Sequence, residues 1–137
     1  MIKELIHDPE FLAKPSVAAT KKDIQVAQDL MDTLLSLKDE CVGLAGNMIG
    51  ELKNIIVFDN DGTYMTMFNP EILSMEEPYE AEESCLSLLG GPRKCTRYKT
   101  IKVRWQNKKF ETRQKTFTEW PAQIIQHEVD HLNGILI

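Results

Sequence analysis

Residues 126–134 read Gln126-His127-Glu128-Val129-Asp130-His131-Leu132-Asn133-Gly134. On an α-helix, residues four apart stand on one face, about one turn from each other. His127 and His131 can therefore offer both imidazoles to a single cation. Glu128, beside the first histidine, is placed to take a proton from a water activated by that cation. The bland alternative is a solvated helix face with two coincidental histidines. The chain has only three histidines, and two of them fall at this spacing with a glutamate between, which argues against coincidence. A catalytic site that keeps a position open for water needs a third protein ligand. The longer pattern that takes a third histidine from downstream keeps its glycine at Gly134, but its histidine position holds Ile137. The third ligand is therefore expected upstream. Cys41, Cys85, Cys95, His7 and the carboxylates are all candidates, and spacing alone does not choose.

The segments around this helix read outward from it. Thr118 can cap it, Pro121 sits in its first turn and Gly134 can end it. Upstream, Thr100 to Trp105 alternates, with Ile101, Val103 and Trp105 on one side and Lys102 and Arg104 on the other. That is a half-buried strand, and 110–117 is expected to pair with it. Gly90-Gly91-Pro92 reads as a loop. Residues 71–75 and 79–83 are strand candidates separated by Glu76-Glu77-Pro78. Residues 54–58 and 64–68 form a hairpin about Asn60-Asp61-Gly62-Thr63, ended by Asn69-Pro70. Cys41 to Gly50 holds three glycines without a clear period, the mark of closely packed backbone. Ile24, Ala27, Leu30, Met31, Leu34 and Leu35 recur at helical spacing. They predict a helix over 21–38, opened by a capping box of Thr20 and Asp23. The first twenty residues read as irregular, broken by Pro9 and Pro15. Helix, strands, helix is an α+β order with a mixed, mostly antiparallel sheet, on one domain spanning 1–137.

Composition excludes several classes. Sixteen basic residues against 21 acidic ones give a net charge of −5, the wrong sign for a protein that tracks phosphates. No run of 18 apolar residues offers a membrane span. The N-terminal stretch lacks the apolar core of a secretion signal and reads as mature protein. Three cysteines, an odd number, point to reduced thiols and a cytoplasmic setting.

Three segments resemble the signature motifs of peptide deformylases, in the family's order. They are Gly43-Leu44-Ala45-Gly46-Asn47-Met48, Glu83-Ser84-Cys85-Leu86-Ser87 and the 126–134 segment. The start around Ile6-His7-Asp8-Pro9 is also similar, so the resemblance covers essentially the whole chain. It implies a sheet wrapped around the metal-binding helix and makes Cys85 the third ligand beside His127 and His131. It implies one divalent metal ion, usually Fe2+, with Zn2+, Ni2+ or Co2+ as substitutes; the donor set alone does not decide. The implied reaction is hydrolysis of the formyl group from the N-terminal formyl-methionine of new chains, with Glu128 as general acid and base. The backbone N–H of Leu86 would face the developing oxyanion. Backbone around Val42, Gly43 and Leu44, and around Ser84 and Cys85, would pair with an extended substrate. Val42, Ile124, Ile125 and His127 would line the methionine pocket. Gln126 and Asp130 would make supporting hydrogen bonds, Asp130 to a histidine. Arg93 is a candidate contact for the substrate's carbonyls or carboxylate, and Arg97 for a structural pair with Glu40.

The match departs from the family in places. The first motif normally ends in Gln, whose amide donates to the formyl oxygen; here Met48 stands there, and a thioether cannot donate. Asn47 could substitute only through a local shift that Gly46 would permit. Ser84 replaces a glycine where substrate backbone approaches. Cys41 replaces another glycine and reads as packed core or as a thiol near the metal. Cys95 lies in a loop among Arg93, Lys94 and Arg97, cations able to lower its pKa; the alternative is an ordinary exposed thiol. Bacterial members often add a helix after the third motif, and here six residues follow His131. The leading reading is a deformylase acting on formyl-methionyl peptides or nascent chains, at the ribosome, as a monomer or weak dimer, slowed by Met48. The alternatives are a catalytically weak homologue that binds metal and peptide, a deacylase for another small acyl group, and a zinc endopeptidase.

Overall fold

Alternating and continuous apolar runs supply five strands, and two amphipathic stretches supply the main helices. The computed structural model describes residues 1–137, apart from the side chain of Leu89. Helix α1 (Pro9–Leu12) is a single turn; α2 spans Ile24–Ser36 and α3 Glu119–Leu132. The strands are β1 (Gly43–Ala45), β2 (Ile55–Asn60), β3 (Thr63–Cys85), β4 (Leu88–Gln106) and β5 (Thr112–Thr118). They form one sheet in the order β1-β2-β3-β4-β5, antiparallel at every step. The parallel component expected of a mixed sheet reduces to one isolated bridge, Val17 with Lys53, outside the named strands.

Several local expectations change for physical reasons. Pro9 starts a helix instead of breaking one: it occupies the first turn, where a missing N–H costs nothing, and the Asp8 side chain caps Glu10 N–H. The helix expected over 21–38 divides into a 3₁₀ turn at Lys21–Asp23, closed by the Thr20–Asp23 capping box, and α2. Asn69-Pro70 does not end a strand. The ladder shifts register between Phe68 and Glu71, and Asn69, at φ +52°, uses its side chain to bond Ala19 and Gln106. The Glu76-Glu77-Pro78 break is likewise absorbed inside β3. Gly90, Gly91 and Pro92 lie within β4, in a bulge between the Glu83↔Arg93 and Cys85↔Leu88 pairs. Thr118 takes the N-cap position of α3, but its side chain makes no capping bond.

The core lies between α3, α2 and the sheet. α3 packs against β1, β2, β4 and β5, and α2 against β1 and β2. Leu30 and Leu34 of α2 meet a core that includes Ile55, Val57, Phe58, Met67, Ile101, Val103 and Ile125. Two side chains pin α3 in place. Gln126 brackets the backbone of Tyr98 on β4: its Oε1 accepts Tyr98 N–H at 2.9 Å and its Nε2 donates to Tyr98 O at 2.8 Å. Asn47 donates to the carbonyl of His131 at 2.9 Å.

Candidate metal centre and substrate cleft

His127 and His131 leave α3 one turn apart, as their spacing requires, and their Nε2 atoms face each other at 3.0 Å. Cys85, the last residue of β3, brings its thiol to the same point; the three ligand atoms lie within 4.8 Å of one another. For comparison, nitrogens about 2.0–2.1 Å from a tetrahedral metal ion stand roughly 3.3 Å apart. Beside them, the buried Glu128 Oε1 is without a partner. These observations fit a metal ion held by the three residues. His7 is elsewhere, donating from Nδ1 to the Ser87 carbonyl at 3.1 Å. Cys41 and Cys95 do not join the group of three.

Glu128 is 4% exposed. Burial pushes its carboxyl up to about 7, against the downward pull of His127. The close fit explains Gly43: a Cβ there would stand 2.9 Å from Glu128 Oε2 and 2.9 Å from Ile124 Cγ2. In the metal-free protein, burial disfavours the His127 imidazolium, but bonds to Cys85 and Glu83 outweigh it and hold the pKa at about 10. His131, buried beside that charge, is pushed down to about 3.

Cys85, His127 and Glu128 open onto a cleft of about 470 Å³, with His131 buried behind them. Val42, Gly43, Met48, Ser84, Leu86, Ile124, His127 and Glu128 line it, as do Cys41, Trp120 and Gln123. β1 pairs only with β2, so its other edge faces outward. Val42 O accepts from Asp59 N–H on the β2 side, so the alternate residue, Gly43, turns its N–H and C=O to the open edge. Leu44 shares that strand while its side chain is buried in the core. Leu86 occupies the two-residue turn between the paired Cys85 and Leu88, outside the ladder.

Other expectations are corrected. Ile125 is fully buried in the core and does not line the cleft. Gln126 holds Tyr98 and does not reach a histidine. Asp130 accepts from Arg97 Nη1 at 2.6 Å instead of orienting a histidine. Arg97 pairs with Glu83, at 2.7 Å, and with Asp130, not with Glu40. Arg93 stands across the ladder from Glu83, donates to Gly91 O at 3.4 Å, and is not a cleft residue. Asn47 points away from the cleft, as expected without a local shift, although the backbone here is the 3₁₀ turn Gly46–Ile49, which swings successive side chains by about a third of a turn. Met48, 2% exposed, is the residue that faces the cleft, and its Sδ accepts Ala45 N–H at 3.4 Å. Cys95 is on β4, and burial with Glu83 pushes its thiol up to about 11 despite Arg97. Cys41 donates to Gly43 O, and burial beside Glu128 pushes it up to about 12, so it stays a thiol.

Sequence reasoning missed Glu83 and Gln123. Glu83 Oε1 accepts from His127 Nδ1 at 2.7 Å. Burial raises the pKa of this carboxyl, but hydrogen bonds from His127, Arg97 and Gln123 hold it far below the usual carboxylate range. The signals were present: Glu83 is two residues from Cys85 on a strand, and Gln123 is four residues from His127 on a helix.

The family model for polypeptide deformylase matches residues 5–137. A peptide deformylase of Clostridium beijerinckii is 50% identical over 137 residues, covering all of both chains. One of Desulfotalea psychrophila is 34% identical, over 99% of this chain and 85% of its own length. Among solved structures, the Thermotoga maritima peptide deformylase superposes with a TM-score of 0.89 at 30% identity, covering 99% of this chain and 95% of that one. The Met-Ala-Ser-bound class I type b peptide deformylase of Acinetobacter baumannii does so at 0.88 and 27%, covering 99% and 97%.

Proposed function

The chain belongs to the peptide deformylase family, and from that premise we propose that it hydrolyses the formyl amide of N-terminal formyl-methionine, using Cys85, His127 and His131 as metal ligands and Glu128 as proton carrier. Its relatives are deformylases and the family's enzymes are metalloenzymes, so the chain is a hydrolase of that class. The observation that carries the residue roles is the convergence of three ligand atoms within 4.8 Å beside a buried carboxylate that has an unpartnered oxygen. We read the native ion as Fe2+, with Zn2+, Ni2+ and Co2+ able to occupy the same thiolate–imidazole set. Residues 1–137 act as one catalytic unit, in the cytoplasm, on nascent chains at the ribosome, as a monomer or weak dimer. Among the described residues no helix is long and apolar enough to cross a membrane.

A bound divalent ion supplies a Lewis acid for the formyl carbonyl and lowers the pKa of water. Glu128 Oε1 takes the proton of the attacking water and returns it to the leaving amine nitrogen; a carboxyl poised near neutrality suits both steps. Leu86 N–H faces the oxyanion. The outer edge of β1 at Gly43 accepts the peptide as an added strand, with Val42, Ile124 and His127 beside the methionine side chain and Ser84 on the opposite wall. A slower enzyme, or one specific for a different small acyl group, is the second reading. Met48 favours it, because the position next to the reacting carbonyl lacks a donor.

Anaerobically iron-loaded protein on formyl-Met-Ala-Ser tests both. Metal-dependent formate release, abolished in Glu128→Ala, is the expected result. Metal uptake without formate, even after Met48→Gln, would sink the formyl-methionine reading. Cleavage of an unblocked peptide at internal bonds would instead identify an endopeptidase.

A further inference from the structure

Glu83 has both carboxylate oxygens saturated. Oε1 accepts from His127 Nδ1 at 2.7 Å and Arg97 Nη2 at 2.7 Å; Oε2 accepts from Arg97 Nε at 3.0 Å and Gln123 Nε2 at 2.7 Å. Gln123 lies one helical turn before His127, on the same face of α3. Its Oε1 accepts the Tyr79 hydroxyl at 3.1 Å. That bond fixes the amide: reversed, its oxygen would oppose the carboxylate. Tyr79 is on β3, directly across the ladder from Arg97. A chain of hydrogen bonds therefore runs Tyr79–Gln123–Glu83–His127, joining β3 to α3 behind the ligand atoms.

We propose that Gln123 is a positioning residue for His127, acting through Glu83, with Tyr79 holding the amide in the required orientation. This rests on the reading of His127 as a metal ligand. A ligating histidine is best oriented when its second ring nitrogen is held as a donor, so that the tautomer and ring plane present a lone pair to the metal; of the two histidines here, His127 has such a partner. Glu83 does this for Nδ1, leaving Nε2 as the ligand atom. Glu83 and Gln123 both line the cleft, so without the Gln123 N–H, Oε2 is open to water or substrate. The carboxylate then turns toward that new partner and its bond to Nδ1 weakens.

Gln123→Met keeps the length and removes the donor. Tyr79→Phe removes one hydroxyl outside the cleft and leaves the substrate walls intact. The readouts are Co2+ affinity by chelator competition, the His127 Nδ1 proton resonance and its exchange rate, and the split between KM and kcat for formyl-Met-Ala-Ser. We expect Gln123→Met to weaken Co2+ binding by about tenfold and to move the Nδ1 proton upfield with faster exchange. Tyr79→Phe is expected to do the same to a smaller extent, with KM unchanged and kcat lowered. A merely structural role would lower the melting temperature and leave affinity and resonance as they are. Parent-like Co2+ affinity and an unmoved Nδ1 proton in both variants would overturn the proposal. If the parent itself takes up no Co2+, the metal reading falls. The relay is then read from the Nδ1 proton of the metal-free protein, where a shift in Gln123→Met supports it and no shift refutes it.

Discussion

Met48 sets the chemistry of this cleft apart at the level of one side chain. It is buried against the reacting site, and its sulfur is already engaged by Ala45 N–H at 3.4 Å. A glutamine there would accept the same N–H through Oε1 and turn Nε2 into the cleft. Loss of one oxyanion donor typically costs about 10²–10³ in rate, so Met48→Gln should raise kcat on formyl-Met-Ala-Ser by on the order of 10²-fold, with KM little changed. An unchanged kcat, in a variant that still binds metal, would mean that this chain stabilises the oxyanion without a donor at that position. Asn47 offers no alternative, since its amide is committed to the carbonyls of His131 and Leu12. The identity of position 48 was legible in the sequence. The direction of Asn47, away from the cleft, was expected as well, though a 3₁₀ turn produces it where extended backbone was expected.

At the scale of the element, α3 must be held rigidly enough that its two histidines and Glu128 keep their aim. Gln126 clamps its middle to β4 and Asn47 its end. Gly134 closes it. Its φ is +75°, and a Cβ there would lie 2.3 Å from Ala13 O, so both backbone conformation and space demand glycine. Gly134→Ala should destabilise the fold by about 2–4 kcal/mol, the sum of a left-handed residue and an overpacked contact. Urea unfolding monitored by circular dichroism measures it, and a loss under about 0.5 kcal/mol, the usual range for an uninvolved surface site, would show that the 9–13 turn simply moves aside. The helix itself was readable from its period and terminators. The turn it leans on was not, since Pro9 reads as a breaker until Asp8 is seen capping it.

Across the whole molecule, the three ligand atoms join segments far apart in the chain, the end of β3 and the body of α3. A bound ion therefore ties sheet to helix, and its removal should lower the melting temperature; at a free metal concentration 1,000 times Kd the linkage is about 4 kcal/mol. Binding is also coupled to protons. Without metal, burial opposes the His127 charge, but bonds to Cys85 and Glu83 keep it protonated up to about 10, while His131 stays neutral down to about 3. At pH 7 the facing nitrogens therefore hold a proton that the ion must displace. Affinity should rise with pH, by roughly tenfold per unit for each proton released. Competition titrations at pH 6 and pH 8 check the sign; a flat profile would mean that binding displaces no proton from the ligand set.

Local physics determined much of this protein. The i, i+4 histidines flanking a glutamate, the alternating strands around Ile101 to Trp105, the Ala27, Leu30 and Leu34 stripe of α2 (Ile24 and Leu35, expected in it, are exposed) and the Asp61-Gly62 turn all depend on near neighbours, whose geometry a helix or strand period dictates. The Glu83–Arg97–Asp130 network, the Gln123 link to His127 and the inward turn of Ile125 were decided only by tertiary structure. Glu83 and Arg97, 14 apart in sequence, are four positions out of register on β3 and β4, and meet because the long Arg97 side chain runs along the ladder to a carboxylate already engaged by α3. The register shifts beside Asn69 and Gly90 are likewise properties of the β3–β4 pair and not of either segment alone. A buried carboxylate also chooses its partners by what else is excluded from water around it, and no local stretch of sequence carries that information.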